Sequence, residues 1–251
     1  MESSSNTKLT IKLKGISKQY VVYHQKPTFI ESILNIERKE KFWALKNITL
    51  NVKKGQKLGI IGDNGSGKTT LLKVISGITT PTKGEVRTSG RLVSLIELNA
   101  GFHPDLTGEE NIFLNGLLLG MNREEVEKKF KSIVAFSGIG QFIDAPFYTY
   151  SMGMRLRLGF SICIHSDADV YLFDESIYTG DYKFQKKIGI RLKKLFRERD
   201  ITLLVASHVE EFIRYYCETC AWIDRGKIIA IGETEGIINK YRKRFNKQVK
   251  V

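Results

Sequence analysis

The chain has few cysteines and no long apolar run. Its 251 residues include three cysteines, Cys163, Cys217 and Cys220, which are too few for a framework of disulfide bonds and indicate a reducing cytosol. No apolar run approaches the roughly 18 to 20 residues that cross a bilayer, which argues against an integral membrane protein. The first ten residues are polar, so we expect no secretory signal there.

Histidine is also scarce, and the histidines and cysteines form no metal-binding pattern. His24, His103 and His165 lack the spacing of metal ligands, and Cys217-x-x-Cys220 has no second pair of cysteines. We therefore interpret these two cysteines as residues on adjacent turns of one helix rather than as half of a metal site.

Acidic residues are outnumbered by basic ones, 27 to 40, which gives a net charge of +13. Hydrophobic residues make up 42% and charged residues 27%, as in an ordinary globular protein with enough chain to bury a core. The charge suits an anionic partner but does not identify it. The segment 236–251 is basic and carries no acid, and we interpret it as a solvated charged helix or tail.

Short β-branched runs alternate with longer helical stretches, which predicts an α/β fold. The turn residues Asp224-Arg225-Gly226 lie between two apolar runs and predict a hairpin of Ala221–Asp224 and Lys227–Ile231. The other candidate strands are Leu9–Leu13, Ile48–Val52, Leu58–Ile61, Leu92–Ile96, Val170–Phe173 and Thr202–Ala206.

A helical region interrupts this alternation between about Ala100 and Phe160. Capping-box patterns begin at Thr107 and again at Asn122, each followed three residues later by glutamate and then by apolar positions at helical spacing. We predict a helical unit at 99–161, inserted into an α/β core that comprises 8–98 and 162–235.

The strongest motif is a glycine-rich sequence between a predicted strand and a predicted helix. Residues 62–69 read Gly-Asp-Asn-Gly-Ser-Gly-Lys-Thr, which is the Walker A pattern. In this pattern the backbone N–H groups surround the β-phosphate, the lysine reaches the β- and γ-phosphates, and the threonine hydroxyl binds Mg²⁺. We assign nucleotide binding to Gly62, Asn64, Gly65, Ser66, Gly67, Lys68, Thr69 and Thr70.

Two further strands end in residues suited to the same chemistry. Asp174 and Glu175 follow the apolar run Val170–Phe173, where Asp174 fits the residue that holds Mg²⁺ and Glu175 the base that activates water. A solvated acidic loop is the alternative. His208 follows Thr202–Ala206 and can donate to the γ-phosphate, although a lone histidine in such a place is usually structural.

A serine and a glycine precede another apolar helical stretch. Ser151 is a natural N-cap, so the helix that follows offers free N–H groups and its positive dipole end to an anion. A plain helix cap is the alternative interpretation. If this helix end faces outward, Ser151 and Gly153 can complete the nucleotide site of a second copy of the chain.

These motifs, in this order and spacing, resemble those of an ABC-transporter ATPase subunit, and the resemblance extends from about Lys8 to Gly232. It implies a single ABC ATPase domain with a P-loop (RecA-like) core, an antiparallel β-subdomain and an inserted helical subdomain. Three segments are similar to the polysaccharide-export branch, which exports O-antigen, capsular polysaccharide or teichoic acid on lipid carriers: Leu95–Asn111, Tyr150–Met154 and Tyr178–Asp181.

The resemblance also implies cofactors and partners. The chain would bind ATP and Mg²⁺, and ATP hydrolysis would drive export of a lipid-linked polysaccharide through a separate integral membrane permease. Two copies would enclose two ATP molecules, each between the Walker A motif of one copy and Ser151 and Gly153 of the other. Such a subunit lies peripherally on the cytoplasmic face of the inner (plasma) membrane.

Two assignments depend on the resemblance alone. Glu97 stands where most ABC ATPases carry a glutamine near Mg²⁺, and Tyr20 best matches the aromatic residue that stacks on adenine. Tyr23 and Trp43 are alternatives for the stacking role. Met152 replaces a glycine of the usual signature, but no group that hydrolysis needs is missing, so we expect an active ATPase.

Two alternative functions stay open: a soluble ABC ATPase that acts on nucleic acid or ribosomes, and an ABC transporter of another substrate. The charge suits the first, but such proteins generally fuse two cassettes or insert a long coiled coil, and this chain has neither.

For the basic tail, acidic lipid or the permease is favoured over nucleic acid, because few aromatic residues interleave with its charges. The small apolar face of Pro27–Trp43 is expected to pack against the permease or against this chain's own β-subdomain.

Overall fold

The computed structural model describes residues 9–23, 39–96, 101–174 and 182–248. The strands are β1 (Leu9–Tyr23), β2 (Lys39–Lys53), β3 (Lys57–Ile61), β4 (Lys83–Thr88), β5 (Leu92–Ser94), β6 (Val170–Phe173), β7 (Thr202–Ala206), β8 (Thr219–Asp224) and β9 (Lys227–Glu233). The helices are α1 (Lys68–Ile75), α2 (Gly108–Leu118), α3 (Arg123–Ser137), α4 (Met152–His165), α5 (Tyr182–Glu198), α6 (Glu210–Tyr216) and α7 (Thr234–Gln248). Within these ranges, no helix has both the length and the apolar composition that crossing a membrane requires.

A six-stranded sheet forms the centre of the molecule, in the order β5-β6-β7-β3-β8-β9. All neighbouring strands are parallel except β8 and β9, which form the predicted hairpin. Every residue of β6 and β7 is buried, as expected of parallel strands covered on both faces by other elements. The predicted α/β fold is thus confirmed. Because β6, β7 and β3 are adjacent, the segments that follow them meet at one edge of the sheet.

A second sheet has three antiparallel strands in the order β2-β1-β4. The strands β1 and β2 are each 15 residues long, so the predicted Leu9–Leu13 and Ile48–Val52 were too short. The register between β1 and β2 shifts at several places beyond Leu13. Such irregularities break the alternation of apolar and polar residues by which a strand is recognised in sequence.

The predicted capping boxes are confirmed at the start of two helices. Thr107 accepts a hydrogen bond from the Glu110 backbone N–H at 3.2 Å while the Glu110 side chain accepts from the Thr107 N–H at 2.8 Å. Asn122 and Glu125 exchange the same pair of bonds before α3, which ends at Ser137 and is capped by Gly138 with φ of 68°. These helices and α4 pack around their own apolar cluster, which includes Ile112, Val126, Ile133, Leu158 and Ile162.

The prediction that Cys217 and Cys220 share a helix was wrong. The helix α6 ends at Tyr216, Cys217 is extended with φ of −121° and ψ of 124°, and Cys220 lies in β8. Pairing of β8 with both β3 and β9 requires extended backbone here, and this long-range contact overrides the local helical pattern. Burial raises the pKa of the Cys220 thiol to about 12, so it stays protonated at neutral pH.

The C-terminal helix α7 packs on the molecule rather than standing free. Ile237, Ile238 and Tyr241 are buried on one face, and the exposed face carries basic residues. Arg242 donates from Nε to Glu210 at 2.9 Å, and Arg244 lies 2.9 Å from Asp224. Much of the segment that the sequence suggested to be a solvated tail therefore belongs to a docked helix.

Candidate functional site

The glycine-rich loop joins β3 to α1 and has a backbone that only glycine adopts without strain. Gly65 and Gly67 have φ of 77° and 110°, in the left-handed region. A Cβ atom on Gly67 would lie 2.7 Å from the Ala44 carbonyl oxygen, whereas one on Gly65 would meet no atom within 4 Å. The loop is thus held tightly on the side of β2 and open at Gly65, where a ligand can approach the backbone.

Two side chains of this loop have polar atoms that suit a bound anion. Lys68 is 6% exposed, and its Nζ donates to the carbonyl oxygens of Gly62 at 2.7 Å and Asp63 at 3.0 Å. The Ser66 hydroxyl is buried and has no hydrogen-bond partner among the described residues. A buried ammonium next to an unsatisfied hydroxyl at the start of a helix fits the oxygens of a phosphate group.

The structure brings the glycine-rich loop and the acid after β6 together. Thr69 and Asp174 are separated by 105 residues, and the Thr69 hydroxyl donates to Asp174 Oδ2 at 2.8 Å. A hydroxyl and a carboxylate are the hard oxygen ligands that Mg²⁺ prefers. These two residues are therefore suited to bind the divalent cation that accompanies a nucleoside triphosphate.

A cavity of about 380 Å³ extends from the loop to the second sheet. The loop and Asp174 line one side, and Tyr20 and Phe42 line the other. These two aromatic residues face each other across β1 and β2. Two cavities elsewhere are larger, about 700 and 690 Å³, but neither includes a residue of the glycine-rich loop. The smaller cavity is therefore the candidate nucleotide site.

Two of the three residues predicted to stack on adenine, Tyr20 and Trp43, line different cavities. Tyr20 lines the candidate site, whereas Trp43 lines the cavity of about 690 Å³, where the Lys83 ammonium lies 5.9 Å from its ring centroid. The side chain of Tyr23 lies outside the described residues. Phe42 was missed by the sequence reasoning. The signal that could have found it is the alternation of a strand, which places Phe42 and Trp43 on opposite faces.

The serine of the signature caps α4 at an exposed helix end. Ser151 Oγ accepts a hydrogen bond from the Met154 N–H at 3.3 Å, and Ser151, Met152 and Gly153 are all exposed, Met152 by 60%. None of them lines the cavity beside the glycine-rich loop. Within one chain, the structure therefore does not bring Ser151 and Gly153 to the candidate nucleotide site.

The remaining predicted site residues differ in how they can be placed. His208 is exposed just beyond β7, and the preceding Ser207 donates from its backbone N–H to the Ile60 carbonyl at 3.2 Å. That bond keeps His208 near the end of β3, at the edge of the sheet where the glycine-rich loop begins. Glu97, Glu175 and most of the segment Pro27–Trp43 lie outside the described residues.

Comparisons with known proteins identify the family of the chain. A family model described as ABC transporter matches residues 45–178. The O-antigen export system ATP-binding protein RfbB of Klebsiella pneumoniae is 37% identical over 239 residues, covering 92% of this chain and 97% of that protein. The teichoic acids export ATP-binding protein TagH of Enterococcus faecalis is 39% identical over 236 residues, covering 93% of this chain.

Some relatives are longer than the matched region. This chain spans 52% of the Enterococcus faecalis protein and 45% of a Myxococcus xanthus RfbB that is 44% identical over 199 residues. Among solved structures, a dimeric bacterial ABC transporter cassette superposes with a TM-score of 0.70 at 25% identity, covering 89% of this chain and 98% of the other. The chain therefore belongs to the ABC transporter family, as one of its ATP-binding cassettes.

Proposed function

We propose that this chain is the ATP-binding and ATP-hydrolysing subunit of an ABC transporter that exports a lipid-linked polysaccharide. The observation that carries the nucleotide chemistry is the Thr69–Asp174 contact at 2.8 Å beside the buried Lys68. The relatives named for O-antigen and teichoic acid export support the class of cargo.

The glycine-rich loop and α1 would bind the phosphates. Backbone N–H groups around Gly65 and the Ser66 hydroxyl would contact phosphate oxygens, while Lys68 would exchange the carbonyls of Gly62 and Asp63 for the β- and γ-phosphates. Thr69 and Asp174 would hold Mg²⁺, with Glu97 as a further contact. When bound, Mg²⁺ neutralises the charge that develops on the transferred phosphoryl group.

The proton chemistry falls to residues at the ends of β6 and β7. Glu175 directly follows Asp174 and would accept the proton of the attacking water. His208 would donate a hydrogen bond to the γ-phosphate and hold it in line with that water. The adenine ring would stack on Tyr20 or Phe42 at the other end of the cavity.

The exposed end of α4 supports a site shared between two copies. Ser151 and Gly153 would bind the γ-phosphate on the Walker A motif of a second copy, so that two ATP molecules lie within a homodimer. The dimer would act on a separate permease at the cytoplasmic face of the inner membrane, which fits relatives that are named as parts of export systems.

Steady-state ATPase assays with the purified chain test the chemistry. Lys68→Ala is expected to abolish ATP binding, and Glu175→Gln is expected to keep binding but slow hydrolysis by about 10² to 10⁴, the usual contribution of a positioned base. Lys128→Ala, which removes a lysine from the exposed face of α3, is the matched control and should behave as wild type. Hydrolysis at the wild-type rate by the Glu175→Gln chain would assign the base to another residue.

Deletion of the gene in its native host tests the cargo. Surface polysaccharide should disappear and its lipid-linked precursor should accumulate in the inner membrane, and wild type but not Lys68→Ala should restore export. Affinity purification of the wild-type chain should recover an integral membrane permease. Normal surface polysaccharide in the deletion strain would contradict this cargo while leaving the ATPase activity intact.

A further inference from the structure

The C-terminal helix α7 contacts the glycine-rich loop directly. The Tyr241 hydroxyl donates a hydrogen bond to Asp63 Oδ1 at 2.7 Å, across 178 residues of sequence. Asp63 is the second residue of the Walker A motif, and its backbone carbonyl accepts from Lys68 Nζ at 3.0 Å. One residue of the loop thus connects the C-terminal helix to the phosphate-binding lysine.

Tyr241 is held in place by more than this hydrogen bond. Its ring packs against Trp222 of β8, with the centroids 6.0 Å apart and the planes at 73°. The Arg244 guanidinium lies 5.6 Å from the same Trp222 ring and pairs with Asp224 at 2.9 Å. Tyr241 is therefore a rigid donor, anchored on the strand that neighbours β3.

Two features of the Asp63 carboxylate matter for its contact with Tyr241: the direction in which it points and its strength as a hydrogen-bond acceptor. The cavity for the nucleotide is lined by Asn64 and Gly65, whereas the Asp63 carboxylate turns away to Tyr241. Burial, together with the Asp63 carboxylate, raises the pKa of Tyr241, so the phenol stays protonated and remains a donor. A hydrogen bond from a neutral phenol to a carboxylate is stronger than one between two neutral groups.

We propose that Tyr241 is a positioning residue for the phosphate-binding loop. Its hydrogen bond to Asp63 fixes the first turn of the loop in the conformation that receives phosphate. This inference rests on the proposed binding of ATP at the Walker A motif. None of the residues to which we assign phosphate binding or hydrolysis lies in α7, so the proposed chemistry does not by itself account for Tyr241.

Isothermal titration of the folded chain with MgATP tests this role. Tyr241→Phe removes only the hydroxyl and should raise the Kd for MgATP about tenfold, which corresponds to the loss of about 1.4 kcal/mol. Asp63→Ala removes the acceptor and should weaken binding to the same extent. Combining the two changes should add little, because both break one interaction.

Rescue by a conservative change separates positioning from general stability. Asp63→Asn keeps an oxygen that can accept from Tyr241 but loses the charge that strengthens the hydrogen bond, so its Kd should rise by only about threefold, less than that of Asp63→Ala. Two controls test whether any loosening of the region has the same effect. Tyr216→Phe removes a hydroxyl that lines the cavity of about 700 Å³, which includes no residue of the loop. Arg242→Gln breaks an ion pair between a half-exposed arginine of α7 and the largely buried Glu210. Both should bind MgATP as wild type does.

The outcomes distinguish this inference from the proposed function. A wild-type chain that fails to bind MgATP would overturn the proposed function and this inference together. Wild-type affinity in Tyr241→Phe or in Asp63→Ala would overturn the positioning role alone. Should Tyr241→Phe not fold, the comparison of Asp63→Ala with Asp63→Asn decides, because equal affinities of these two variants would also refute it.

Discussion

Two aromatic side chains border the cavity opposite the glycine-rich loop. Phe42 is 52% exposed and Tyr20 is 36% exposed, and they are cross-strand neighbours on β2 and β1. The Lys18 ammonium lies 5.1 Å from the centroid of the Tyr20 ring. Large apolar rings left exposed beside a polar cradle are suited to bind a flat ligand such as a nucleobase.

Removing either ring should weaken binding of ATP without changing the contacts between the protein and the phosphates. Stacking of a base on an aromatic residue contributes about 1–3 kcal/mol, so Phe42→Ala or Tyr20→Ala should raise the Kd for ATP by about 5- to 150-fold. The affinity for inorganic tripolyphosphate should not change, because the loop is untouched. Trp43→Ala is the matched control, since Trp43 lines a different cavity. Weaker ATP binding only in the Trp43 variant would contradict this assignment.

At the scale of single residues, sequence reasoning was strongest where chemistry is encoded in a contiguous motif. Gly67, Lys68 and Thr69 could be identified because the motif places them within one turn. Thr69 and Asp174 were each assigned to Mg²⁺ from their own motifs, but their direct contact across 105 residues depends on the fold and could not be read from either motif. Strand alternation separates Phe42 from Trp43, but the pairing of Phe42 with Tyr20 depends on the register between β1 and β2, which irregularities along β1 obscure.

The helix α4 has an exposed beginning and a buried end. Its residues from Leu158 to His165 are all buried, and His165 is 8% exposed with Nδ1 2.7 Å from the Ser161 carbonyl. Burial lowers the pKa of His165, the nearby Arg191 and Lys129 lower it further, and the Ser161 carbonyl and Asp167 oppose this. The imidazole is therefore neutral in the folded chain at neutral pH.

This burial predicts how stability depends on pH. In the unfolded chain His165 has a pKa of about 6.5, so as the pH falls through that value the unfolded state takes up a proton that the folded state rejects. Stability is therefore lost as the pH falls from the unfolded pKa towards the lower folded pKa. Thermal melting at pH about 7.5 and about 5.5 should show a larger drop in Tm for wild type than for His165→Gln. Equal drops would show that His165 titrates alike in both states.

At the scale of elements, the sequence predicted helix starts that depend on neighbouring residues, but it did not predict conformations that depend on long-range contacts. The helices α2 and α3 begin where their capping boxes are, because a cap depends on residues only three positions apart. The helix predicted across Cys217 and Cys220 failed because pairing between β8 and β3 decides the conformation there. The docking of α7 was missed because it also depends on long-range contacts. The many basic residues of α7 drew attention away from its buried face, which consists of Ile237, Ile238 and Tyr241.

The two features to which we assign phosphate binding lie on separate parts of the surface of the described residues. The cavity beside the glycine-rich loop is open, and the capped end of α4 with Ser151 is exposed and does not line it. A helix N-terminus with free N–H groups completes an anion site only if another surface brings the anion to it. A twofold arrangement of two copies would place the helix end of each over the cavity of the other.

Mixing two defective chains tests this arrangement. In a heterodimer of Lys68→Ala and Ser151→Arg chains, both defects fall on one composite site, and the other site has an intact Walker A motif and an intact serine. An equal mixture should therefore regain roughly a quarter of the wild-type ATPase sites, because half of randomly paired twofold dimers are mixed and each has one competent site.

A second mixture provides the control for that restoration. Chains with Lys68→Ala and Thr69→Ala are both defective in the same motif, so in their heterodimer each composite site contains one defect and no activity should return. The two mixtures contain equal numbers of altered chains and differ only in where the defects meet. If the Lys68→Ala and Ser151→Arg mixture stayed at the sum of its separate activities while native mass spectrometry showed mixed dimers, Ser151 would be a helix cap of its own chain and no part of a shared site.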